Sequence, residues 1–198
     1  MNSALLYARS RSAPATLALI TATALFTLWA ATLTETFIDP YRRIPLLALG
    51  PLAAASAIGT SLHQRAPELD RTAARPWWPT RLAHLLALTA LAATTLALSV
   101  PGHSQEFGAA AMARNVLGAT GLTATATVLL GARLSWLPPT LYFGAVYLSY
   151  SAPGMKTATL WTWSMQPGPQ RGAWAVALVA FMVGTMLYVA VGPRRKRR

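Results

Sequence analysis

The sequence predicts an all-α polytopic membrane protein with six transmembrane helices in one domain, residues 1–193, followed by a basic cytoplasmic tail, residues 194–198. Three observations predict this fold class. Apolar runs recur at the length of roughly 20 residues that a helix needs to cross a bilayer core about 30 Å thick. The chain of 198 residues is 54% hydrophobic and only 11% charged. Its basic residues mostly flank the apolar runs, as membrane topology requires.

The apolar runs begin and end at residues typical of helix ends and membrane interfaces. The first run follows Arg9 and Arg11, exceeds the core of about 7–15 residues found in signal peptides, and lacks a small-x-small cleavage site. We therefore expect it to be a retained span. The fifth run opens at Trp136, and Gly192 ends the sixth. The predicted spans are residues 15–33, 44–62, 82–100, a fourth that starts between 107 and 116 and ends near 133, then 136–150 and 173–191.

The basic residues predict the orientation of these spans. With six spans both termini lie on one side, and five basic residues fall on the other: Arg42, Arg43, Arg114, Lys156 and Arg171. The other twelve of the seventeen lie on the side of the termini. Basic residues collect on the cytoplasmic side of membrane proteins. The expected location is the cell membrane, as a multi-pass protein with both termini in the cytoplasm.

Residues that commonly carry catalysis or bind metals lack a functional pattern here. The chain has no Cys, which excludes disulfides and thiolate metal sites. His63, His84 and His103 share no metal-ligand spacing. The stretch from Gly102 to Gln105 lacks the second Gly of a serine nucleophile motif, and we interpret it as a turn. No Gly-Lys dipeptide occurs, so a P-loop is excluded. We expect no enzymatic activity, no metal and no cofactor.

The net charge of +12 raises the question of a nucleic-acid partner. Because most basic residues flank apolar runs, membrane lipids with anionic headgroups are the expected partner, and nucleic acid is not. The acidic residues fall at span ends or in loops: Glu35, Asp39, Glu68, Asp70 and Glu106. Ion-driven carriers keep an ionisable group inside the membrane. A transport function would therefore need another energy source.

Arg114 and Asn115 form a candidate intramembrane polar site. If the fourth span starts at Phe107, Arg114 lies about 10 Å inward and needs Glu106, Glu35 or backbone carbonyls as partners. If the span starts at Asn115, Arg114 extends to the aqueous boundary, which is the interpretation we favour. In the same span, the spacing of Gly118 and Gly121 favours close helix packing, with a substrate path as the alternative.

The predicted connection between spans 5 and 6 is a second candidate site. Proline-glycine breakers bound residues 155–165, which are long enough for two or three helical turns. We expect a short re-entrant or interfacial external helix that carries Lys156, Trp161 and Trp163. The alternative is a plain loop in the aromatic belt of the membrane.

Three segments carry a resemblance to a known family. Residues 68–72 (Glu-Leu-Asp-Arg-Thr) lie between predicted spans 2 and 3, residues 155–165 lie between spans 5 and 6, and residues 114–122 (RNVLGATGL) open span 4. In these segments and in its six-span topology, the chain resembles the permease subunits of type-2 ABC exporters, and the actinobacterial members in particular.

The resemblance implies a transmembrane permease subunit of an ATP-driven exporter. A separate ABC ATPase subunit would hydrolyse ATP, and the permease would form a homodimer or a heterodimer with a second permease. Leu69 would be the apolar anchor of the loop that docks on the ATPase. The residues implied for this ATPase-coupling loop are His63, Gln64, Arg65, Glu68, Leu69, Asp70 and Arg71.

Other functions remain open at this point. The main alternative is a non-transport accessory or immunity membrane protein that binds a partner through its spans. A membrane enzyme would need an external site, for which the candidate residues are Glu35, Asp39, His103 and Glu106. The coupling loop itself has an alternative interpretation as a solvated loop that only sets the topology.

Overall fold

The computed structural model describes residues 13–37, 40–63, 78–100, 107–149 and 160–194. These residues form six α-helices and two short 3₁₀ helices, and no strand occurs among them. The α-helices are α1 Ala13–Phe37, α2 Pro40–Ser61, α3 Trp78–Leu98, α4 Ala109–Leu130, α5 Leu137–Ser149 and α6 Arg171–Val191. The 3₁₀ helices are Ala132–Leu134 after α4 and Trp163–Met165 before α6. The all-α fold class predicted from the sequence is confirmed.

The ends of the helices follow from local backbone chemistry. Pro79 and Pro138 lie in the first turns of α3 and α5, where a missing N–H removes no helical hydrogen bond. Gly131 follows α4 with φ +90°, and Gly192 follows α6 with φ +79°. Glycine adopts this left-handed region without steric cost, so both helices end where the sequence has a glycine.

Three helices of the described ranges are long and apolar enough to cross a membrane, whereas the sequence predicted six. These are Pro14–Thr32, Trp78–Leu98 and Arg171–Val191, while Leu46–Ser61 of α2 is apolar but shorter. The 13 residues of α5 reach only about 20 Å. The 22 residues of α4 are long enough, but they include an arginine, an asparagine and four threonines. Length and composition therefore do not support the count of six.

The six helices run alternately up and down. One core cluster joins Ile20 near the start of α1, Leu62 after α2, Leu85 near the start of α3 and Tyr188 near the end of α6. A second cluster joins the opposite ends of the helices, for example Ala31 of α1 with Ala173 of α6. Consecutive helices therefore have opposite directions throughout the bundle.

Helix α4 occupies the centre of the bundle and packs against α2, α3 and α6. Its contact with α6 is backbone against backbone, because a Cβ on Gly184 would overlap the main chain of Gly121. A Cβ on Gly121 would likewise overlap the main chain of Ala180 and Phe181. The interpretation of Gly121 as a helix-packing residue is confirmed.

Apolar side chains cover the outside of the bundle, and polar side chains lie inside it. Leu25, Leu148 and Met186 are 62%, 78% and 63% exposed on α1, α5 and α6. By contrast, Thr123 and Thr127 of α4 are fully buried, and their hydroxyls donate to helix carbonyls one turn earlier. This distribution is the reverse of a water-soluble bundle and suits a lipid environment.

Candidate functional site: a buried arginine that binds the loop before α6

The segment before α6, residues 160–170, enters the bundle instead of covering it; we call it loop 160–170. Its 3₁₀ helix Trp163–Met165 is buried, with Trp163 3% exposed and Ser164 fully inaccessible. The loop contacts α4, α5 and α6 at the end of the bundle where α4 and α6 begin. We call this the loop end, and the opposite end the basic end, because Arg81, Arg133 and Arg194 lie there.

Arg114 of α4 binds the main chain of this loop from inside the bundle. Its side chain is 0% exposed. Nη1 donates to the carbonyl of Pro167 at 2.8 Å, and Nη2 donates to the carbonyl of Gln166 at 2.8 Å. Hydrogen bonds from a charged donor are stronger than those between neutral groups. The guanidinium therefore fixes two consecutive peptide groups of the loop.

Asn115 orients this arginine and adds a third bond to the loop. Its Oδ1 accepts from Nε of Arg114 at 3.1 Å, and its Nδ2 donates to the carbonyl of Ser164 at 2.6 Å. Both side chains lie on the second turn of α4, which begins at Ala109. The favoured interpretation, in which Arg114 reaches out to the aqueous boundary, is wrong, because neutral carbonyls of the loop surround its guanidinium.

Trp163 fills the space between α4 and α5. Its ring stacks on Tyr142, with centroids 5.8 Å apart and planes at 14°, and meets Phe143 edge-on at 6.1 Å. Gly118 of α4 lies directly under the indole, because a Cβ there would overlap the ring. Gly118 is therefore a packing residue, as the sequence analysis favoured, and the neighbour that requires it is an aromatic side chain.

Two aromatic side chains, Tyr142 and Trp174, also bind the main chain near the two ends of loop 160–170. The hydroxyl of Tyr142 donates to the carbonyl of Trp161, and Nε1 of Trp174 donates to the carbonyl of Gly168 at 2.9 Å. Sequence reasoning did not single out either residue. The available signal was a tryptophan, Trp174, in the first turn of α6, five residues after the end of a Pro-Gly-Pro breaker.

The prediction of two or three helical turns in residues 155–165 is wrong for the described part. Residues 160–162 form a turn and a bend, and only the single 3₁₀ turn Trp163–Met165 follows. Asn115 and Arg114 bind the carbonyls of Ser164 and Gln166 at the end of this short turn. Trp163 lies in the core and not at an interface, whereas Trp161 is 50% exposed. Lys156 lies outside the described residues.

The structure describes one residue of the predicted coupling loop. His63 is exposed in the segment directly after α2. Gln64, Arg65, Glu68, Leu69, Asp70 and Arg71 lie outside the described residues. The same holds for Asp39, His103 and Glu106 of the alternative enzyme site, and for the side chain of Glu35. No group of three or more metal-ligating side chains occurs in the ranges that the structure describes.

We expect Gly118→Val to expel Trp163 from its position. The added methyl groups and the indole cannot share one space, and overpacking of a tight contact costs about 1–3 kcal/mol. Because the chain has no Cys, a single cysteine introduced as Ser164→Cys reports the change through its reactivity with a water-soluble maleimide. Gly144→Val is the matched control, since open space surrounds Gly144. Equal reactivity of the two variants would contradict the packing role of Gly118.

Known proteins do not indicate a function for this chain, so the interpretation depends on the geometry of the site. No family model, no curated protein and no solved structure matches the chain.

Proposed function

We propose that the chain is a membrane-embedded permease subunit of an ATP-driven exporter, coupled to a separate ATPase through the loop between α2 and α3. The observation that carries the proposal is the alternating direction of the helices. Because α2 ends and α3 begins at the basic end, both attachment points of the segment between them lie there. That segment contains Glu68, Leu69, Asp70 and Arg71.

All six helices cross the bilayer in this proposal, including α2, α4 and α5, which length and composition alone do not identify as membrane spans. Helix α4 touches little lipid, because α2, α3 and α6 surround it. A helix shielded by protein does not need an apolar surface, so Arg114 and the threonines are compatible with a central span. The short α5 crosses with the help of loop 160–170, in which Trp163, Ser164 and Met165 are buried in protein. Such burial is what non-helical backbone at membrane depth requires.

The charges support a cytoplasmic basic end. Arg81, Arg133 and Arg194 lie at the end where α2, α4 and α6 finish. The loop end has four arginines among the described residues, Arg42 and Arg43 in the first turn of α2, Arg114 and Arg171, so the described arginines alone do not favour either end. The asymmetry comes from the full sequence, in which twelve of the seventeen basic residues fall on the side predicted for the termini. In the proposed orientation, which the positive-inside rule favours, the coupling loop faces the cytoplasm, where an ATPase can reach it, and loop 160–170 faces the outer side.

The bundle favours a transport path on its outer face, between two permease subunits. Helix α4 fills the centre, and its buried small residues leave room for neighbouring helices and not for a solute. An open apolar groove of about 270 Å³ lies between α1 and α2, lined by Leu19, Phe26, Leu49 and smaller residues. A substrate that moves along such a surface would be amphipathic or lipid-like.

Co-purification with an ABC ATPase tests the proposal. We expect the affinity-tagged chain to retain an ATPase from its native membrane, and Leu69→Ala combined with Arg71→Ala to lose it, because an apolar anchor and its charged rim dominate such contacts. Arg75→Ala is the control within the same loop. An accessory membrane protein would keep its partner after the double change. Retention of the ATPase by the double variant, or its absence from the wild type, would refute the coupling role.

A further inference from the structure

Arg194 folds back onto the end of α4. Its main-chain N–H donates to the carbonyl of Thr127 at 3.1 Å, and its Nη1 donates to the carbonyl of Leu129 at 2.6 Å. These carbonyls belong to the last turn of α4, the end of a helix that carries partial negative charge. The basic segment that begins at Arg194 therefore starts against the bundle.

Two further arginines lie beside it. The guanidinium of Arg81 lies next to Gly192, two residues before Arg194. Arg133 is exposed on the 3₁₀ helix that follows Gly131, and Gly131 lies against the carbonyl of Arg194. Three arginines, from α3, from the connection after α4 and from the segment after α6, therefore lie at the basic end.

Exposed apolar side chains adjoin this cationic surface. Leu130, Leu134 and Trp136 lie within six residues of Arg133 along the chain and are 44%, 46% and 42% exposed. Trp78 near Arg81 and Val191 near Arg194 are also exposed. Aromatic and aliphatic side chains at the boundary between arginines and a bundle surface match the two parts of a phospholipid, its headgroup and its acyl chains.

We infer that Arg81, Arg133 and Arg194 form a binding surface for the headgroup of an anionic phospholipid of the cytoplasmic leaflet. A phosphodiester offers acceptor oxygens that guanidinium groups bind in bidentate geometry. The surrounding leucines and tryptophans contact the acyl chains and select a membrane lipid over a soluble phosphate. The inference rests on the membrane placement within the proposed function, and it does not require an ATPase partner.

Lipid retention by the full-length chain tests this surface. The protein is purified in detergent, mixed with phosphatidylglycerol or phosphatidylcholine, and its bound lipids are counted by native mass spectrometry. We expect the wild type to prefer phosphatidylglycerol, and Arg133→Gln and Arg81→Gln each to weaken that binding about fivefold. Arg171→Gln, which removes one exposed charge at the loop end, should leave the preference unchanged. Thermal unfolding in phosphatidylcholine verifies that each variant is folded.

Three results would overturn the inference. One is equal retention of the two lipids by the wild type, and another is an equal loss in Arg171→Gln and Arg133→Gln. The third is displacement of phosphatidylglycerol by millimolar inorganic phosphate, which would identify a soluble anion as the ligand. If the lipid preference holds while no ATPase co-purifies, the proposed function fails alone. If the chain is absent from the membrane fraction, both proposals fail.

Discussion

Replacing Gly184 with leucine is expected to separate α4 from α6 and to prevent the bundle from assembling. At this position a single added carbon already overlaps the carbonyl group of Gly121. Main-chain atoms on both sides cannot move aside as a flexible side chain would. Small residues permit such approach between membrane helices, where packing replaces the hydrophobic effect as the source of association. The expected destabilisation exceeds the roughly 1–3 kcal/mol of ordinary overpacking.

Gel filtration of the detergent-purified variant and its thermal unfolding measure this effect. Gly144→Leu is the matched control, because a Cβ on Gly144 meets nothing within 4 Å. The control should elute and unfold like the wild type, whereas Gly184→Leu should aggregate or lose its unfolding transition. Normal elution and stability of Gly184→Leu would show that α4 and α6 do not pack through these glycines.

Replacing Arg114 with glutamine is expected to release loop 160–170. The change removes the two charge-assisted bonds to Gln166 and Pro167 and leaves their carbonyls buried without those donors. Such bonds contribute about 1.5–3 kcal/mol each, so roughly 3 kcal/mol or more is lost. That loss raises the open population of the loop on the order of 100-fold. In Arg114→Lys the open population of the loop should lie between those of the wild type and Arg114→Gln, because an ammonium group cannot reproduce the planar, two-pronged geometry of a guanidinium.

The cysteine-free chain allows a direct measurement of this release. Ser164→Cys should react slowly with a water-soluble maleimide in the wild-type background, because Ser164 is fully buried. In the Arg114→Gln background it should react much faster. Leu160→Cys, at a side chain that is 73% exposed, should react quickly in both. Unchanged protection of Ser164→Cys after loss of Arg114 would contradict the role of the arginine in holding the loop.

The sequence predicted the helices well, because their ends depend on local signals. Apolar length, prolines in first turns and Gly192 after the last span are readable without tertiary information. The start of α5 next to Trp136 and the end of α6 before Gly192 agree with the structure. Whether each helix faces lipid or protein depends on its neighbours. For that reason composition does not identify α4 as a span, although it is the most enclosed helix of the described bundle.

The hydrogen-bond partners of Arg114 could not be predicted, because they come from a contact between residues far apart in the sequence. Its partners Gln166 and Pro167 lie more than fifty residues away. From the sequence, a buried Arg114 requires Glu106, Glu35 or backbone carbonyls as hydrogen-bond partners. Nothing in the spacing of these residues favours the carbonyls over the two carboxylates. The sequence predicts an interfacial Trp163 because tryptophan is common at membrane interfaces. The spacing of Gly118 predicts helix packing but does not identify the indole of Trp163 as its neighbour.

The orientation of the bundle is the claim on which the transport proposal, the coupling loop and the lipid surface all depend. Single cysteines at Leu160 of loop 160–170 and at His63, directly after α2 at the basic end, test it in intact cells with a membrane-impermeant maleimide. Both side chains are exposed. We predict that Leu160→Cys is labelled from outside, and that His63→Cys is labelled only after the membrane is permeabilised. The reverse pattern, or labelling of both from outside, would contradict this orientation.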